Sequence, residues 1–128
     1  MRIYKTRWVS RFTRREGIAD EGLIDAVKRA EQGLIDADLG GGLIKQRVAR
    51  AGRGRSGGYR MPIAYRKKDR AVFLYGFAKS ERGNVEKDEL LSLREIGAEW
   101  LGADTREIAQ ALADRTIEAI ENGKEEKE

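Results

Sequence analysis

The residues of this chain that could do chemistry are cations. Positions 45 to 70 hold ten Lys/Arg and a single acid, Asp69. In "LIKQRVAR" (43–50), Lys45 and Arg47 stand two apart. Arg60 opens "YRMPIAYR" (59–66), and Lys79 and Arg82 follow the apolar run "AVFLYGFA" (71–78). Side chains on a strand alternate between faces with a period of two, so Lys45 and Arg47 share one face. Antiparallel pairing of these strands would bring Arg60, Lys79 and Arg82 to the same side. Clustered like charges repel, so the arrangement is favoured where a polyanion supplies the counter-charge, phosphate above all. The alternative is a solvated basic surface, because Lys and Arg are ordinary strand-face and loop residues.

Several chemistries are excluded at once. The 128 residues include no cysteine and no histidine. Neither a disulfide framework nor a thiolate or imidazole metal site is available, and the commonest general base is missing. No metal and no cofactor are expected. The loop "GRGRSGG" (52–58), with Arg53 and Arg55, lacks the Gly-x-x-x-x-Gly-Lys-Ser/Thr pattern. No helix follows it to present its N-terminus to phosphate, which argues against a kinase or nucleotidase. No apolar run approaches the roughly 18 residues that a membrane span needs, and the N-terminus has no signal-peptide core. A soluble, cytoplasmic protein is expected, with no membrane partner.

The charge is lopsided. Residues 1–79 hold 19 basic and 8 acidic residues, whereas 80–128 hold 7 and 14. A local field of this kind speaks to partners, with nucleic acid first and an acidic protein segment second. Tyr59 and Phe77 stand beside the cations and could stack bases, Phe77 best of all. Arg50, Arg53 and Arg55 would add contacts to a nucleic-acid backbone.

The elements that must position these residues follow from periodicity. "RIYKTRWVS" (2–10) alternates as a strand, with a short helical turn in "RFTRREG" capped by Ser10. Asp20 can cap "EGLIDAVKRAEQ", whose Leu23, Ile24, Val27 and Ala30 form a helical stripe. The run "DADLGGG" (36–42) breaks the chain. Strands follow at 43–50, 59–66 and 71–78, the last apolar on both faces like a central strand. The only proline, Pro62, suggests an edge or a bulge, and "KKDR" (67–70) a hairpin turn. Two helices close the chain: 86–101, with Leu90, Leu93, Ile96 and Trp100 inward, and 105–122, started by an Asp104/Glu107 capping box. The expectation is an α+β fold, a mostly antiparallel sheet with N-terminal helices packed on it plus C-terminal helices.

The order strand, two helices, then "LIKQRVAR…GGYRMPIAYRKKDRAVFLYGFAKSERGNV" resembles the RelE/ParE toxin superfamily of toxin–antitoxin modules, closest to its RelE- and HigB-like mRNA interferases. The residues that carry the resemblance are the K-x-R strand, the G-Y-R start of the next strand, the basic hairpin turn and G-F-x-K-x-x-R. It covers about residues 1–90 of a single domain spanning 1–128, with a C-terminal helical extension over about 86–122.

The resemblance implies a ribosome-dependent, metal-independent mRNA endonuclease, with mRNA on the ribosome and a cognate antitoxin protein as partners. It assigns Lys45 and Arg47 to the cationic pair of the second strand, Lys45 as general base. It assigns Arg60 to transition-state phosphate, and Lys79 or Arg82 to the leaving oxygen or a phosphate clamp. Glu86 stands about where many members carry a tyrosine, and Ser80 where an arginine is frequent. The same fold also includes non-catalytic nucleic-acid or antitoxin binders and gyrase-directed ParE-like toxins.

Overall fold

The computed structural model describes residues 1–50 and 54–121; the side chains of 54–56 lie outside the description. The elements run β1 (Arg2–Thr6), α1 (Arg7–Glu16), α2 (Asp20–Glu31), β2 (Ala37–Gly40), β3 (Leu43–Arg50), β4 (Gly54–Arg66), β5 (Arg70–Phe73), β6 (Phe77–Ala78), α3 (Lys87–Gly102), α4 (Thr105–Ala113) and β7 (Ile117–Ile120). The sheet order is β2-β3-β4-β5-β1-β7, with β6 also paired to β4. Most pairs are antiparallel, but β1 lies parallel to β5, so the sheet is mixed. The chain begins in a central strand. Ile3 and Tyr4 of β1 point to opposite faces, and both are buried.

That alternation divides the interior into two layers. On one face, α1 and α2 bring Val9, Phe12, Leu23 and Val27 onto Ile44, Val48, Met61, Ile63 and Phe73. On the other, α3 and α4 bring Leu93, Ile108 and Ala111 onto Leu43, Ala64, Val72, Leu74 and Tyr4. Helices therefore cover both faces. Each fully buried aliphatic or aromatic side chain contributes about 1.5–3 kcal/mol, so both layers stabilise the sheet. Among the described residues no helix is long and apolar enough to cross a membrane.

Several boundaries differ from the sequence expectation, each for a local reason. The first strand ends at Thr6, whose hydroxyl accepts the Val9 N–H and so caps α1 four residues earlier than Ser10 would. The three glycines after Leu39 do break the chain, as a turn: Gly40, Gly41 and Gly42 all take positive φ and join β2 to β3. The run 71–78 is two strands. Gly76 lies in the gap between them, where an added Cβ would stand 2.8 Å from the Phe12 ring. Pro62 faces the same gap, where its missing N–H leaves no ladder bond unmade, while its carbonyl accepts the Leu74 N–H. In α3, Ile96 points outward, 42% exposed, and Gly97 takes the inward place against Ala64.

The largest correction is at the C-terminus. The expected helix 105–122 stops at Ala113, turns through Arg115 at φ 60°, and continues as β7. Thr116, Ile117 and Ile120 suit a strand, and β1 offers a free edge, paired from Thr6↔Ile117 to Ile3↔Ile120. On a helix Ile117 and Ile120 would share a face. As a strand they separate, Ile117 into the α3/α4 layer and Ile120 into the α1/α2 layer.

Candidate nucleic-acid interface

Lys45 and Arg47 on β3 and Arg60 on β4 alternate with Ile44, Val48, Tyr59 and Met61, which belong to the α1/α2 layer. The three cations therefore face the side of the sheet where α3 packs. Register sets Arg47 opposite Arg60 and Lys45 opposite Pro62. Leu43 and Ala64, one step further along, lie in the layer with Leu93 of α3. The cations continue that face beyond Leu43 and Ala64.

The cluster is electrostatically tense. Burial lowers the pKa of Lys45, and the Arg60 charge lowers it further against the opposing pull of Asp36. Arg60, only 9% exposed, is likewise lowered by burial and by Arg47, again opposed by Asp36. Its Nη1 donates to the Tyr59 carbonyl at 3.3 Å. Lys45 Nζ donates to Asn84 Oδ1 at 2.9 Å, so the loop between β6 and α3 folds back over β3.

Asp36 lies at the centre of the counter-charge. Its carboxylate accepts the Arg47 backbone N–H (2.7 Å) and approaches Arg47 Nε (3.3 Å) and Arg29 Nη1 (3.3 Å). Burial pushes its pKa up, but the Arg47 N–H and the charges of Arg47 and Arg29 outweigh this and leave it lowered. The Asp36 N–H donates to Gln46 Oε1 at 2.7 Å, and the fully buried Gln46 donates to the carbonyls of Ala26 and Leu34. Arg29, itself buried, donates to the Arg47 carbonyl and pairs with Asp25. This network ties α2 to the upper half of β3 and satisfies backbone groups there that no strand pairs.

The remaining expected residues are placed differently. Arg82 donates to both carboxylate oxygens of Glu89 (2.7 and 2.9 Å) and to the Tyr75 hydroxyl (2.7 Å). Its guanidinium also covers the Phe77 ring, 4.9 Å from the centroid. The Glu89 hydrogen bond raises the Arg82 pKa, so this cation holds its proton more tightly. Phe77 is 4% exposed beneath it, and Tyr59 is 2% exposed with its hydroxyl on Glu16. Both rings are packing residues here, with no open face for a base. Arg50 lies over the Tyr59 ring at 5.8 Å, on the α1/α2 side and away from Lys45 and Arg47. Lys79 is exposed immediately after β6, its backbone N–H on the Gly58 carbonyl. Arg53 and the Arg55 side chain lie outside the described residues. Glu86 is the N-cap of α3, closing a capping box with Glu89.

Asp36, Asn84 and Glu89, each bound to a site cation, carry no motif in the sequence. The one hint was the acidic pair Asp36 and Asp38 just before a strongly basic stretch. Among the described residues no group of three or more carboxylates is arranged to hold a metal ion.

The fold and site define a mixed α+β protein whose sheet carries a partly buried cationic cluster beside α3. The model of the RelE toxin family, of the RelE / RelB toxin–antitoxin system, matches residues 1–120, and the chain belongs to that family. It is thus the toxin of a toxin–antitoxin pair, with an antitoxin as its partner. The match runs through β7. No curated protein matches the chain.

Proposed function

We propose that this toxin is a metal-independent endoribonuclease that cleaves mRNA bound on the ribosome, and therefore works in the cytoplasm. The observation that carries the reading is the Lys45–Arg47–Arg60 cluster, in which burial and Arg60 lower the pKa of Lys45. A neutral amine can take the proton of a ribose 2′-hydroxyl that replaces Asn84 beside it. The oxygen then attacks the adjacent phosphorus, the bond to the 5′-oxygen breaks, and a 2′,3′-cyclic phosphate and a 5′-hydroxyl result. Arg60 and Arg47 stabilise the added negative charge of the five-coordinate phosphorus. Arg82, held by Glu89, serves as a clamp at the rim of the site. Lys79, exposed beside β6, supplies the proton to the leaving oxygen.

The test is cleavage of a defined mRNA on purified ribosomes, with products mapped at both ends. Wild-type toxin is expected to cut only when ribosomes are present, and Lys45→Ala and Arg60→Ala to lose at least 100-fold in rate. Intact transcripts with the folded wild-type protein would refute the reading. A DNA-damage response on expression would then point to a gyrase-directed toxin, and salt-sensitive RNA binding without cleavage to a non-catalytic member of the fold.

A further inference from the structure

An acid is built into the positive cluster, and that acid contacts the residue that would meet the phosphate. Asp36 holds Arg47 twice, at the backbone N–H and at Nε, and is held in turn by the buried Arg29. Its position does not depend on a flexible surface side chain, because its own N–H is fixed by the buried Gln46. The groups acting on Lys45 are Arg60 from β4, Asp36 from the segment before β2, and Asn84 from the loop before α3. Of these only Asp36 is negative.

We propose that Asp36 is a positioning residue of the site: it presents the Arg47 guanidinium to the RNA and yields it to the scissile phosphate, while its fixed charge tempers the field on Lys45 and Arg60. The proposal rests on the nuclease reading for its substrate but not for its electrostatics. A phosphate that binds Arg47 takes the place of the 3.3 Å Nε contact, while the stronger backbone contact keeps the carboxylate where it is. The acid thus competes with RNA for Arg47. Its removal should therefore tighten binding, the reverse of what losing a brace would do.

Asp36→Asn keeps an oxygen for the Arg47 N–H while it removes the charge and turns the oxygen that faces Arg47 Nε into an amide NH2. In the free variant, the Lys45 side-chain titration followed by NMR is expected to move to lower pH than in wild type, because the one group that opposes Arg60 is gone. Binding of a short RNA with a 2′-deoxy sugar at the cut site is expected to tighten about fivefold at low salt. The dependence of its log affinity on log salt should steepen by about 0.7, the increment of one more phosphate contact on single-stranded RNA. An unmoved Lys45 titration with equal or weaker RNA binding would overturn the proposal and leave Asp36 a structural brace.

If Asp36→Asn does not fold, the Arg47 Nε–H resonance of wild type decides. It should shift as the RNA saturates, and an unshifted signal overturns the proposal. If wild type does not bind this RNA free in solution, the cleavage assay on ribosomes still judges the nuclease reading, and the Lys45 titration in the free proteins decides the electrostatic role of Asp36.

Discussion

Arg60 should matter far more to function than to stability, and the structure sets the size of both effects. Arg60 is 9% exposed and lies opposite Arg47 across the β3–β4 ladder, and burial and Arg47 both disfavour its charge. Replacing a whole buried ion pair with apolar side chains is typically neutral or stabilising, whereas removing one partner of a pair is destabilising. Arg60 lies between these cases: relief from burial and from Arg47 is set against loss of its hydrogen bonds, that to the Tyr59 carbonyl among them, and of the attraction to Asp36, each about 1 kcal/mol. Arg60→Met should therefore stay within about 1 kcal/mol of wild type, a change in Tm of no more than about 5 °C for a protein of this size. Cleavage should fall about 100- to 1000-fold, the usual loss for a group that stabilises transition-state charge. Thermal and urea melts by circular dichroism, paired with single-turnover cleavage on ribosomes, measure both. A variant destabilised by more than about 1 kcal/mol, with cleavage intact, would refute the reasoning: Arg60 would then be holding the fold together and not serving the substrate.

Lys45 gives a pH signature. Its folded pKa lies below the ordinary 10.5, so the unfolded chain binds that proton more tightly. The charged lysine therefore penalises the folded state below its folded pKa, and the penalty fades as pH rises toward 10.5. Lys45→Met should be more stable than wild type at pH 7, with the gap closing by pH 10.5; a constant gap in pH-dependent melts would contradict this. Ile117→Ala, at a position with no exposed surface in the α3/α4 layer, should destabilise by about 2–5 kcal/mol in urea melts, whereas a dispensable C-terminal tail would show no change. Gly58→Ala should abolish soluble expression or lower stability by more than about 2 kcal/mol. Its Cβ would overlap the Val48 carbonyl oxygen and stand 2.8 Å from the Arg50 nitrogen, so normal melting of that variant would mean β3 and β4 pair differently here.

The sequence by itself determined the local elements and the charges on one face of β3. Period-two alternation put Lys45 and Arg47 on the same side, the "KKDR" turn (67–70) marked the β4–β5 hairpin, and apolar stripes marked α2 and α3. These signals are local, because side-chain direction on a strand or helix follows from backbone period alone. The parallel β1–β5 pair and the strand identity of 117–120 were decided only by tertiary structure. Thr116, Ile117 and Ile120 favour a strand by their β-branching, but the spacing of Ile117 and Ile120 also fits one face of a helix until the edge of β1 and two separate core layers choose between them.

The site divides the same way. Lys45, Arg47 and Arg60 were legible because register follows from a hairpin-like β3–β4 pairing. Asp36, Asn84 and Glu89 meet those cations and Arg82 only through folding of the chain, and no spacing rule marks them. Phe77 and Tyr59 offered the sequence an aromatic face; packing beneath Arg82 and against Phe12 buried both, because the fold needed their area more than the surface did.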